Sequence, residues 1–159
     1  MLKCIVAVSS DGCIDVPTPK LDRDRFAMLT IGADCVCGRK TWDTLPPAAR
    51  RNRSWTIFTR SEQLSGDFKL GDGPLPFFSS DLGAFIESHA YSFVDPPVWV
   101  CGGGQLYDEA LPACQMLYLT RLRTGGGTIK FPPIDFDRYD RLFSRDFEDH
   151  VFEILRVKP

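Results

Sequence analysis

Apolar and polar positions alternate along the chain in two rhythms. Residues 2–8 form an apolar run that stops at Ser9-Ser10-Asp11-Gly12. It is too short for the core of an export signal and predicts a buried strand. Residues 9–20 carry Gly, Asp, Ser and two prolines and predict a loop. From Leu21 the positions Leu21, Arg25/Phe26 and Met28/Leu29 follow helical spacing and predict a helix with one buried face. Asp22 and Asp24 lie in its first turn, where carboxylates suit the positive end of the helix dipole. Residues 33–37 predict a short buried strand, and Gly38-Arg39-Lys40-Thr41 turns it into a second helix. A strand over 55–59 precedes a polar, Gly/Pro-rich surface excursion at 61–76.

Further on, 82–89 reads as a helix with Ser79, Ser80 or Asp81 as N-cap. Residues 98–101 read as a buried strand, Gly102-Gly103-Gly104 leads into a helix over 105–111, and 116–122 is a strand. After Gly125-Gly126-Gly127, residues 139–147, a tight turn at Glu148-Asp149 and residues 151–157 predict an antiparallel hairpin. With no repeat or dividing linker, the pattern predicts one α/β domain over 1–159. It would be a mixed, mostly parallel central sheet flanked by helices, ending in that hairpin.

Composition narrows the class. A chain of 159 residues with 43% hydrophobic residues, 25% charged residues and a net charge of −2 fits a soluble globule. A near-neutral balance argues against a nucleic-acid partner. No stretch approaches the roughly 20 apolar residues that span a bilayer. The six cysteines contain no CxxC pair, and only His89 and His150 could add imidazole, so no metal site is expected. Cys4, Cys35, Cys37 and Cys101 fall in strand-like runs, as buried reduced thiols do. The cytoplasm is the expected compartment.

Two strand-to-helix junctions carry candidate chemistry. Open backbone N–H groups at Gly38-Arg39-Lys40-Thr41 and at Gly102-Gly103-Gly104 suit phosphate, and two such junctions suit the two ends of a dinucleotide. Neither is a GxGxxG fingerprint. By position alone the first is equally a solvated helical turn and the second a loose turn. Asp22, opening a helix after a loop, is either a cleft carboxylate or a solvated helix-end charge, with Asp24 competing for the role.

In order, these pieces resemble the dihydrofolate reductase family over nearly the whole chain. The match runs through Ile5-Val6-Ala7, Asp22…Phe26, Gly38-Arg39-Lys40-Thr41-Trp42, Cys101-Gly102-Gly103-Gly104-Gln105-Leu106-Tyr107, Leu117-Tyr118-Leu119-Thr120, Phe131-Pro132 and Phe152-Glu153-Ile154-Leu155. The G-R-x-T-W and G-G-G-x-x-Y elements are specific in combination, order and spacing.

The resemblance implies that family's fold and hydride transfer from NADPH to 7,8-dihydrofolate. It puts Asp22 on the carboxylate that binds the pteridine's amino-pyrimidine edge and promotes protonation of the reacting imine, with Thr120 orienting it. Phe26 would pack on the substrate ring. Ile5, Ala7, Cys101 and Tyr107 would line the pteridine and nicotinamide pocket, and Arg53 would grip the substrate's glutamate tail, with Arg50 and Arg51 close in sequence. Gly103 and Gly104 would admit the nicotinamide end and pyrophosphate. Arg39, Lys40 and Thr41 would hold phosphates, and Thr59 and Arg60 would meet the 2′-phosphate. Ala7, Ile14, Gly38, Gly102, Gln105 and Leu106 complete the implied cofactor set. A monomer acting on a small molecule is the implied assembly.

Three departures stand out. The loop from Ile14 to Asp22 is short and lacks the family's Pro-Trp pair. Arg23 and Arg25 replace positions that are often apolar, which makes room for a more polar substrate. Thr124 to Thr128 is glycine-rich and lacks an acidic residue common before Phe-Pro. Asp11-Gly12, Asp22-Arg23…Phe26…Leu29…Ala33-Asp34 and Gly38 are also similar to the reductase domain of riboflavin biosynthesis. That similarity implies NADPH reduction of a phosphoribosyl-aminopyrimidine. A non-catalytic ligand-binding relic of the fold is the third alternative.

Overall fold

The structure is a computed structural model, and it describes residues 1–60, 76–90 and 96–159. The excursion expected at 61–76 lies, up to residue 75, outside the described residues.

Eight strands form one sheet in the order β4-β3-β2-β5-β1-β6-β8-β7. They are β1 (Leu2–Val8), β2 (Asp34–Gly38), β3 (Ser54–Phe58), β4 (Phe77–Ser79), β5 (Val98–Val100), β6 (Met116–Leu122), β7 (Tyr139–Asp146) and β8 (His150–Val157). Strands β1 to β6 pair in parallel, and β8 runs antiparallel to both β6 and β7. This is the mixed, mostly parallel sheet with a C-terminal hairpin that the hydrophobic rhythm predicts. The connecting helices are α1 (Lys20–Thr30), α2 (Arg39–Thr44), α3 (Pro47–Arg50), α4 (Leu82–Ala90) and α5 (Gly104–Ala110). No helix among the described residues is long and apolar enough to cross a membrane.

Both faces of the sheet are covered, which is why the parallel strands read as apolar runs. One core holds Leu2, Cys4 and Val6 of β1 with Leu117, Leu119, Leu106 and Tyr107. The other holds Cys35, Cys37, Trp42, Trp55, Ile57 and Trp99, with Ile5, Phe26, Leu29 and Cys101 packed against it. The period-2 alternation of β1 thus sends Cys4 and Ile5 to opposite layers.

The inward face of α1 differs from the apolar stripe that its leucine and methionine predict. Leu21 and Met28 were expected inside, but they are 47% and 77% exposed. The half-buried positions are Asp22, Arg25, Phe26 and Leu29, a helical stripe that includes two charges. The polar pair takes the place that hydrophobicity assigned to leucine and methionine, because those two charges meet partners across the sheet. Strand β4 escaped the sequence reading because three residues beside a polar segment show no period. The bounds of β2 and β3 sit one residue from expectation, within the usual scatter of strand ends.

After β1 the chain runs through α1 to β2, moves outward to β3 and β4, and returns as β5 between β2 and β1. This reversal opens a crevice at the carboxyl ends of β1, β2 and β5, the usual ligand position in open α/β sheets.

Candidate active site

The crevice is a cavity of about 690 Å³, within the range of small-molecule sites. Ile5 and Ala7 of β1, Asp22 and Phe26 of α1, and Cys101 and Tyr107 line it together with Thr120 of β6. Ile14, Lys40, Thr41, Gly102 and Gly103 complete the part that sequence reading assigned to substrate and cofactor. A second groove of about 710 Å³ holds Gly38, Arg39, Thr59, Arg60, Gly104, Gln105 and Leu106. Lys40, Thr41 and Gly103 line both, so the two spaces meet at those residues.

At the centre, the Thr120 hydroxyl donates to Asp22 Oδ1 at 2.5 Å across 98 residues of sequence. Thr120 is pinned because β6 pairs with β1 (Ala7 opposite Thr120) and with β8 (Phe152 opposite Thr120). Asp22 is aimed by the start of α1, where the Pro19 carbonyl accepts from the N–H groups of Asp22 and Arg23. Arg25 Nη1 stands 3.3 Å from the same Oδ1. No donor among the described residues reaches Asp22 Oδ2, so that oxygen is available to a ligand. Asp24 instead pairs with Lys20 at 2.5 Å on the outer surface.

The walls are chemically quiet. Tyr107 donates its buried hydroxyl to the Ile5 carbonyl at 2.7 Å. Burial pushes the Cys101 thiol well up, with Cys35 and Cys37 adding to the effect, so it stays a protonated apolar neighbour. All six cysteines are free. Among the described residues no cluster of His, Cys, Asp or Glu could hold a metal.

The glycine junction fits a ligand pressed against backbone. A Cβ on Gly103 would lie 2.9 Å from Thr41 Oγ1, so a side chain there would close the gap where the two spaces join. Around the groove, Arg39 Nε is paired with Asp43 at 3.0 Å, and Asp81 lines the wall while capping α4 through the Ala84 N–H. Lys40 and Arg60 line the same groove.

Arg53 lies in neither space. It is 5% exposed, and four of its five N–H groups are engaged by Thr30 Oγ1 and the carbonyls of Ala49, Arg51 and Ala27. Sequence reasoning also missed Asp15, which lines the cavity and is tied by its carboxylate to the backbone N–H groups of Thr128 and Ile129. The missing acidic residue of the 124–128 segment was the available signal: the carboxylate comes from the facing loop.

A family profile described as Dihydrofolate reductase matches residues 1–155. The chain is similar to the dihydrofolate reductase of Mycobacterium leprae, 32% identical over 117 residues, which cover 74% of this chain and 66% of that protein. It is 31% identical to the dihydrofolate reductase of Bos taurus over 158 residues, covering 89% and 83% of the two chains. The bifunctional dihydrofolate reductase-thymidylate synthase of Glycine max is 33% identical over 109 residues, which span 64% of this chain and only 20% of that longer protein.

Proposed function

The chain belongs to the dihydrofolate reductase family, and from that premise we propose that it reduces 7,8-dihydrofolate to 5,6,7,8-tetrahydrofolate with NADPH. The observation that carries the reading is the Thr120–Asp22 pair, opening on a cavity continuous with the Gly103 junction. The family implies a reduced nicotinamide cofactor, and Lys40 and Arg60 favour NADPH because a 2′-phosphate rewards fixed positive charge.

Bound along the groove and past Gly103, NADPH would supply the hydride. Asp22 would accept two N–H groups from the 2-amino-4-oxo edge of the pteridine, with Thr120 holding Oδ1 in the required orientation. Its negative charge favours a proton on the ring imine, delivered through a water, and a protonated imine makes the neighbouring carbon a better hydride acceptor. Phe26 and Ile5 pack the ring from apolar walls and keep bulk water from that charge. We take residues 1–159 as one monomeric cytoplasmic domain, in keeping with its free, mostly buried thiols.

The test is NADPH oxidation by the purified protein with dihydrofolate. Asp22→Asn is expected to fold, to bind NADPH and to lose most turnover at neutral pH. An active Asp22→Asn with a dead Asp24→Asn moves the role to the other carboxylate. A wild type that binds NADPH but leaves dihydrofolate untouched favours the phosphoribosyl-aminopyrimidine reading, which has Arg23, Arg25 and Lys40 around the cavity on its side. No nicotinamide binding selects the non-catalytic alternative.

A further inference from the structure

Arg25 is a built-in charge. Its side chain is 15% exposed, and its guanidinium lies 4.0 Å from the ring of Phe152 and 5.4 Å from that of Phe147. One edge faces Asp22 Oδ1 at 3.3 Å, and Nη2 meets His150 Nε2 at 3.3 Å. A guanidinium can only donate, so Nε2 must accept and Nδ1 must carry the imidazole proton. Nδ1 then donates to Asp149 at 2.5 Å, and the fully buried ring stacks on Phe147. Asp149, His150 and Arg25 therefore form a chain of defined donors that ends on the cavity's carboxylate. Other charges nearby do not break it: Arg145 lies over Phe147, and Arg123 pairs with Asp146. Burial draws the Arg25 guanidinium below its ordinary value, opposed by Asp22 and aided by Arg145, and a guanidinium keeps its charge at neutral pH.

A carboxylate alone welcomes any heterocycle that offers two adjacent N–H donors, and welcomes a cation most. A 2-amino-4-oxo ring offers those donors while neutral. A 2,4-diamino ring is basic at the ring nitrogen and meets a carboxylate as a cation. A guanidinium fixed against Oδ1 repels a ring that carries its positive charge at the edge facing the carboxylate, and acts far less on a ring that is neutral at that edge.

We propose that Arg25, positioned by His150 and Asp149, is a specificity-determining residue that makes the cavity select neutral 2-amino-4-oxo heterocycles over protonated 2,4-diamino ones. This rests on the reading of the cavity as a pterin site.

The test compares 2-amino-4-oxo-6,7-dimethylpteridine with 2,4-diamino-6,7-dimethylpteridine, two probes that differ at one position. Their affinities are measured calorimetrically at pH 7 on the wild type, Arg25→Met, Arg25→Gln and Arg25→Lys, with thermal melts to confirm folding. The affinity ratio should move toward the diamino probe by about tenfold or more in both uncharged variants and stay within about threefold of wild type in Arg25→Lys. Arg25→Gln keeps an N–H toward Asp22, so it serves if the methionine variant does not fold. A wild type that turns over dihydrofolate, with a ratio that does not change in the uncharged variants, overturns the role of Arg25 alone. Failure to bind either probe, together with no turnover, overturns the pterin reading and this proposal with it.

Discussion

Arg53 and Arg25 sit 28 positions apart in sequence and serve opposite ends of the same helix, yet only Arg25 lines the cavity. Arg53 closes the C-terminal end of α1 by bonding the Ala27 carbonyl and Thr30 hydroxyl, and its guanidinium lies 5.5 Å from the Phe26 ring. Removing a buried cation takes the partner from the buried Thr30 hydroxyl and leaves the three carbonyls to water. Arg53→Met should therefore lower unfolding free energy by about 3 kcal/mol or more, read from urea denaturation of the two proteins. A loss below about 1 kcal/mol would mean that these bonds contribute little over water. Asp22 and Thr120 were legible in the sequence because each sits inside a motif whose order is informative. The Arg25–His150 contact was not, since it joins residues 125 apart with no pattern linking them. Arg23 and Arg25 on α1 were legible as polar residues at often-apolar positions that make room for a more polar substrate, but not as partners of His150.

At the scale of elements, the short loop after β1 is held to the glycine-rich segment facing it. Ile14 N–H donates to the Ile129 carbonyl and Phe131 N–H to that of Gly12, with a bridge between Cys13 and Lys130. Asp15 adds the carboxylate: it accepts from Thr128 N–H, Thr128 Oγ1 and Ile129 N–H, all between 2.7 and 2.9 Å. Gly127 is required beneath it, with φ of +87° and a Cβ position only 2.6 Å from Asp15 Oδ1. The Ile129 N–H leads in drawing the Asp15 carboxyl from its ordinary 3.8 down to about 2. A depressed carboxyl stabilises the fold above its unfolded value, and that stabilisation fades as pH falls from about 4 toward 2. Asp15→Asn should thus lower the melting temperature by a constant amount above pH 5, with the difference shrinking as pH falls from about 4 toward 2 and vanishing only below that. A difference that stays the same down to pH 2 would show that the carboxylate's charge is not what holds the loops. The succession of strands and helices was readable because buried parallel strands and half-buried helices have distinct periods. The loop tie was not, because the residue pattern says where an acid is missing and not where its replacement stands.

For the whole molecule, the cavity and the tied loops bear on the rate of turnover. Asp15 and Thr18 line the cavity, so the loop forms part of its wall. Its anchors on the 128–131 segment and the fixed φ of Pro17 and Pro19 limit how far it can swing. In enzymes where a lid must open to let product go, that motion often sets kcat. If the proposed reading holds, a short, anchored wall removes much of that slow step. Hydride transfer is then expected to be the slow step. With NADPH deuterated at the transferred position, steady-state turnover at pH 7 should show a clear primary isotope effect and no pre-steady-state burst. In Asp15→Ala, where the wall is freed at its strongest anchor, the effect should shrink if loop movement then enters the cycle. A wild-type isotope effect indistinguishable from one, with a fast burst, would place the slow step at release and show that the anchored loop still acts as a lid.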